Sequence, residues 1–71
     1  MLFSYLRGRL RQLDIDQVSL ARRMGLKQPS VSNRLTGRTA WTIDEMYQVL
    51  EICEAPPEDL HIYFPKGGKI A

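Results

Sequence analysis

Leu2, Leu6, Leu10 and Leu13 recur at intervals of four, four and three residues. That is the period of a helix with one buried face, so residues 2–13 are predicted to form a first amphipathic helix. Ile43, Met46, Tyr47, Leu50 and Cys53 repeat in the same way and predict a helix from 43 to about 54. In "PPEDL" at 56–60 a proline and two acids occupy a first helical turn, and Leu60 and Tyr63 then fall on one side, so a short last helix follows. No stretch reads as a hairpin. "PKGGKIA" at 65–71 reads as a flexible tail or a short strand.

Between the outer helices one start signal occurs three times. Ile15-Asp16 precedes Leu20, Leu26-Lys27 precedes Val31, and Trp41-Thr42 precedes Met46. An apolar residue just ahead of the cap, with a partner five positions on, is the spacing of a hydrophobic staple, which sets how the chain enters a helix. Asp16 and Thr42 are good caps, and Thr42 with Glu45 makes a capping box. Lys27 is the bad cap of the three: an ammonium sits at the positive end of the helix dipole, and "LKQPSVSNRLTGR" at 26–38 contains no acid. A helix start left uncapped and lined with cations is poorly made for stability but well made to meet phosphate. The plainer alternative is that Lys27 points to solvent.

Gly25 stands where the preceding helix must end and supplies the left-handed residue of a tight helix-to-helix turn. The middle of the chain therefore reads as a helix-turn-helix: Gln17 to Met24, a turn over Gly25 to Lys27, then Gln28 to Leu35 with a stop at Gly37. The predicted fold class is all-α, a compact domain of four to five helices over residues 1–64 with the helix-turn-helix at 17–36, followed by a tail at 65–71.

Seventy-one residues make one small domain, near the lower limit for a core that folds without staples. The single cysteine, Cys53, cannot form an internal disulfide, which points to a reducing compartment. No apolar run is long enough to span a bilayer, and arginines break "MLFSYLRGRL" too early for a signal peptide, so a cytoplasmic location is expected. The net charge is only +2, but it is segregated. Residues 1–13 hold Arg7, Arg9 and Arg11 and no acid; residues 17–43 hold Arg22, Arg23, Lys27, Arg34 and Arg38, again with no acid. Residues 44–59 hold Asp44, Glu45, Glu51, Glu54, Glu58 and Asp59 and no base. Such a division suits a polyanion such as nucleic acid; the alternative is ordinary solvated faces. No catalysis, cofactor, metal or small-molecule substrate is expected, because no nucleophile is paired with a histidine, no Gly-rich phosphate loop is present, and His61 is the lone histidine.

The stretch "DQVSLARRMGLKQPSVSNRLTGR" resembles the phage Cro and repressor type of helix-turn-helix. Gln17 stands at the start of its second helix, "LA" at 20–21 lies within it, "MGL" at 24–26 forms the turn, "VS" at 31–32 lies inside the third helix, and Gly37 follows. The flanking "LFSYLRGRL" and "IYF" resemble a subgroup of small phage-encoded members, and the likeness covers residues 2–64. One departure is informative. Relatives pair an arginine on the first helix with a glutamate near the end of the third; Leu10 and Leu35 match those positions here. Both polar partners are missing together, so the site is apolar rather than broken, and Leu10 and Leu35 are predicted to meet in the core.

The resemblance implies duplex DNA as partner, with the third helix in the major groove. Val31 and Leu35 share its core face, while Pro29, Asn33 and Thr36 face away, with Gln28, Ser30 and Ser32 on the flanks. Slim amide side chains suit a groove wide enough for one helix and can bond adenine in a bidentate way. Gln28, Pro29, Ser32 and Asn33 are the base-reading candidates; for Pro29, contact with a thymine methyl and simple rigidity of the helix start remain equal readings. Gln17 matches the family's phosphate-binding glutamine, Arg38 and Thr39 lie in a loop where relatives grip the backbone, and Lys27, Ser30 and Arg34 are further backbone candidates. Arg22 and Arg23 default to a solvated face. Trp41 is expected to staple the fourth helix, Cys53 to be a small core hydrophobe, and Tyr63 and Phe64 either to close the core or to form a patch for a partner subunit. The expected function is a sequence-specific, Cro-like or repressor-like transcriptional regulator of phage or prophage origin, with a homodimer needed for a two-fold operator. The rival from another class is a protein-interaction module, an antitoxin or antirepressor, that uses the acidic residues 44–59 as its working surface.

Overall fold

A computed structural model describes residues 2–68. Five helices follow one another: α1 (Ser4–Gln12), α2 (Gln17–Met24), α3 (Gln28–Leu35), α4 (Ile43–Ile52) and, after a 3-10 turn over Pro57–Asp59, the single-turn α5 (Leu60–Tyr63). The chain then forms a short strand, β1 (Pro65–Gly68), packed on α5 and α4. The tail expected at 65–71 is thus a strand as far as Gly68, and 69–71 lie outside the described residues. The fold is all-α in its core. No helix among the described residues is long and apolar enough to cross a membrane.

The helix starts obey the cap chemistry. The Asp16 side chain accepts from the Ser19 N–H at 2.8 Å, and the hydrogen bonds that Ser19 makes to it hold its carboxyl below the usual range. Thr42 Oγ1 accepts from the Glu45 N–H at 3.1 Å while Glu45 Oε1 accepts from the Thr42 N–H at 3.0 Å, a complete capping box. Lys27 makes no side-chain cap bond. All three staple pairs pack in or against the core.

The helix ends share one device. After each of α1, α2, α3 and α4 a residue takes the left-handed conformation: Asp14 (φ 55°), Gly25 (φ 71°), Gly37 (φ 85°) and Glu54 (φ 57°). The next N–H reaches back five residues, from Ile15 to Leu10, Leu26 to Ala21, Arg38 to Asn33 and Ala55 to Leu50, at 2.8–2.9 Å. These are Schellman ends, which satisfy otherwise orphaned carbonyls. Glycine adopts that conformation freely; aspartate and glutamate there carry steric strain.

Two elements differ from the periodic reading. The first helix begins at Ser4 because Phe3 is itself left-handed (φ 54°), which sends its ring edge-on to Trp41 and Phe64 at centroid distances of 6.2 and 5.9 Å and leaves Leu2 exposed. On α4 the buried stripe is Met46, Val49, Leu50 and Cys53; Ile43 and Tyr47, expected in the core, are exposed. Val49 takes the inward position, which rotates the buried arc away from Ile43 and Tyr47. Leu10 and Leu35 are both buried in the one core and line the same cleft. Tyr63 and Phe64 close the core, and burial pushes the Cys53 thiol up, as befits an inert core residue.

Candidate interaction surface

The turn between α2 and α3 is set by Gly25, and the two helices are tied at their exposed starts, where Gln28 Nε2 donates to Gln17 Oε1 at 2.7 Å. Lys27, Gln28 and Pro29 are exposed at the start of α3; Ser30, Ser32 and Asn33 are half-buried. Asn33, expected to face fully outward, thus sits lower on the helix, and its carbonyl accepts from the N–H groups of Arg38 and Thr39 at 2.8 and 3.2 Å. Those bonds fold the loop over the end of α3 and leave Arg38 and Thr39 exposed. The residues singled out for base and backbone contact therefore do converge around the α3 start and its exit loop, with one exception.

The exception is Arg34. Expected to grip phosphate, it is engaged inside the molecule. Nε and Nη2 donate to the two carboxylate oxygens of Glu45, each at 3.0 Å, and Nη1 donates to the Ser30 carbonyl at 3.0 Å. Both side chains are less than a fifth exposed. Burial by itself would raise the Glu45 carboxyl, but hydrogen bonds from Arg34 and from the Thr42 N–H, with the Arg34 charge, outweigh it and hold the group below its ordinary value. One carboxylate thus clamps α3 to α4 and caps α4.

The α1 arginines are partly withdrawn too. Arg7 Nη2 donates to the Leu35 carbonyl at the end of α3 at 2.8 Å, and Arg9 Nε donates to the Cys53 carbonyl at the end of α4 at 3.2 Å. Each satisfies an orphan carbonyl and complements the negative end of a helix dipole. Three cations counted as a polyanion surface are structural, and of the α1 set Arg11 alone is fully exposed. Sequence reasoning missed these three roles because donors and acceptors lie 11 to 44 residues apart. The signal that could have found the role of Arg9 is that α4 has no basic residue in its own last turn. No cluster of metal-ligating side chains occurs among the described residues.

A family model described as "Protein of unknown function (DUF739)" matches residues 1–67. No curated protein matches the chain. Among solved structures it is similar to the solution structure of the modulator of repression (MOR) of the temperate bacteriophage TP901-1 from Lactococcus lactis. The two share 29% identity, the match covers 97% of this chain and 92% of that one, and the TM-score is 0.79.

Proposed function

The chain belongs to the DUF739 family, and from that premise we propose that it is a phage regulatory protein that modulates repression by binding a repressor protein, in the manner of an antirepressor. The likeness to a phage modulator of repression over nearly the whole of both chains carries this reading. The internal bonding of Arg7, Arg9 and Arg34 supports it, because it removes cations that a DNA-gripping surface would spend on phosphates. No catalytic step is part of the proposal.

A second reading, sequence-specific DNA binding of the Cro or repressor type, is favoured by the exposed, uncapped α3 start at Lys27 and Gln28. In that reading Gln28, Pro29, Ser32 and Asn33 meet bases, and Gln17, Lys27, Ser30, Arg38 and Thr39 meet the backbone. One experiment separates the two. The purified chain is offered a random pool of duplexes at low salt and, in parallel, the repressor encoded by the same phage. The expected result is a stoichiometric complex with the repressor and no enriched duplex. An enriched motif that blurs at one position in Asn33→Ala, with no repressor complex, would replace the first reading by the second.

A further inference from the structure

We propose that the outward face of α4 is the surface on which the repressor docks, with Ile43 and Tyr47 as apolar anchors and Asp44, Glu51 and Glu54 as a carboxylate rim for lysines and arginines of that partner. This rests on the protein-binding reading above. Ile43 is 52% and Tyr47 46% exposed. They stand four residues apart, one above the other on the face left free when Met46, Val49, Leu50 and Cys53 turn inward. A helix presenting side chains at that interval is the form in which helices enter grooves, and tyrosine is among the residues that most often anchor such contacts. From Ile43 to Glu54 the face runs for about 16 Å.

Two of the three rim acids are placed against the needs of folding. Asp44 lies in the first turn, where the dipole favours an acid, but Glu51 and Glu54 lie at the last turn and just beyond it, where the dipole disfavours one. Glu54 also holds the left-handed position (φ 57°) that glycine would occupy without strain. Arg9 Nε donates to the Cys53 carbonyl at this end, and the Arg23 carbonyl accepts from Gln48 of α4. Neither pairs with the outer carboxylates: among the described residues the ion pair is Arg34–Glu45. All three rim acids are exposed.

Charge selects the occupant. A repressor must hold DNA phosphates, so it carries a surface rich in lysine and arginine, and the α4 face offers the opposite sign around its apolar centre. A second copy of this chain does not fit, because a two-fold contact through this face would set the same carboxylates against each other. A second exposed apolar group, Leu2, Tyr5 and Ile62, borders a groove beside Lys66 with no acid among its described lining residues, so nothing there specifies a partner.

The test is isothermal titration of the full chain into the repressor of the same phage at two salt concentrations. Four forms are compared: wild type, Tyr47→Ala, the charge reversal Glu51→Lys with Glu54→Lys, and Arg22→Gln as a control at the exposed end of α2. Tyr47→Ala and the double reversal should each weaken binding by at least about tenfold, Arg22→Gln by less than about twofold, and the wild-type affinity should fall as salt rises. Thermal melts guard against misfolding, and Glu54→Gly adds a variant that must melt higher than wild type while binding more weakly. Wild-type binding with undiminished binding by the α4 variants overturns the surface assignment and leaves the protein-binding reading standing. No wild-type complex with the repressor overturns both.

Discussion

α3 and α4 begin on the same backbone and finish with opposite chemistry. Lys27 (φ −89°, ψ 152°) and Thr42 (φ −80°, ψ 161°) are extended in the same way, and each follows a stapled apolar residue, Leu26 or Trp41. The hydrophobic staple alone is therefore enough to start a helix here, and the cap is a separate choice. At α4 that choice is used in full: Thr42 and Glu45 bond reciprocally, and Glu45 is gripped by Arg34. At α3 it is left open, with a cation where an acceptor would be stabilising. The molecule has an anchored helix that carries the acidic face and an open helix start that carries the cationic one.

The change that breaks the comparison most is Glu45→Ala. It removes the clamp and half of the capping box, leaves Arg34 part-buried without its partner, and should cost about 3 kcal/mol in urea unfolding. The same pair has a pH signature. The folded Glu45 carboxyl lies below its ordinary value of 4.5, so its stabilisation is complete above that value and is lost as pH falls through the lowered one. Wild type should therefore lose stability below about pH 4.5 more steeply than Glu45→Gln does, as measured by thermal melts across that range. A smaller effect is expected at the two caps. Thr42→Ala should cost about 1 kcal/mol, and Lys27→Asp should gain a similar amount by supplying the missing acceptor. Equal and negligible effects at both positions would mean that the staples, not the caps, hold both helix starts.

Much of the local architecture is legible in the sequence. The bounds of α2 and α3, the left-handed Gly25, the cap at Asp16, the box at Thr42 and Glu45, and the apolar Leu10 and Leu35 all follow from residues within a few positions of each other or from one periodic stripe. The α4 stripe is the instructive failure. Ile43 and Tyr47 fit the same period as Met46 and Leu50, and only the packing of Val49 against the core decides which side of the helix faces inward. The candidate surface divides in the same way: exposure of Lys27, Gln28 and Pro29 is readable from their place at a helix start, whereas the fates of Arg7, Arg9 and Arg34 are not.

By itself, then, the sequence determined where α2 and α3 start and stop and where α4 starts, because caps, staples and glycine turns act over a handful of residues. It also determined the segregation of acids from bases along the chain. Only the tertiary structure decided which of those charges are free. Arg7 closes the end of α3, Arg9 closes the end of α4, and Arg34 is clamped by Glu45, since a guanidinium in reach of an orphan carbonyl or a part-buried carboxylate is held there by charge-assisted hydrogen bonds. The same folding step turned Tyr47 outward beside acids that hold no ion pair among the described residues. Proximity in space, not in sequence, sorted the charges held inside the fold from those left exposed.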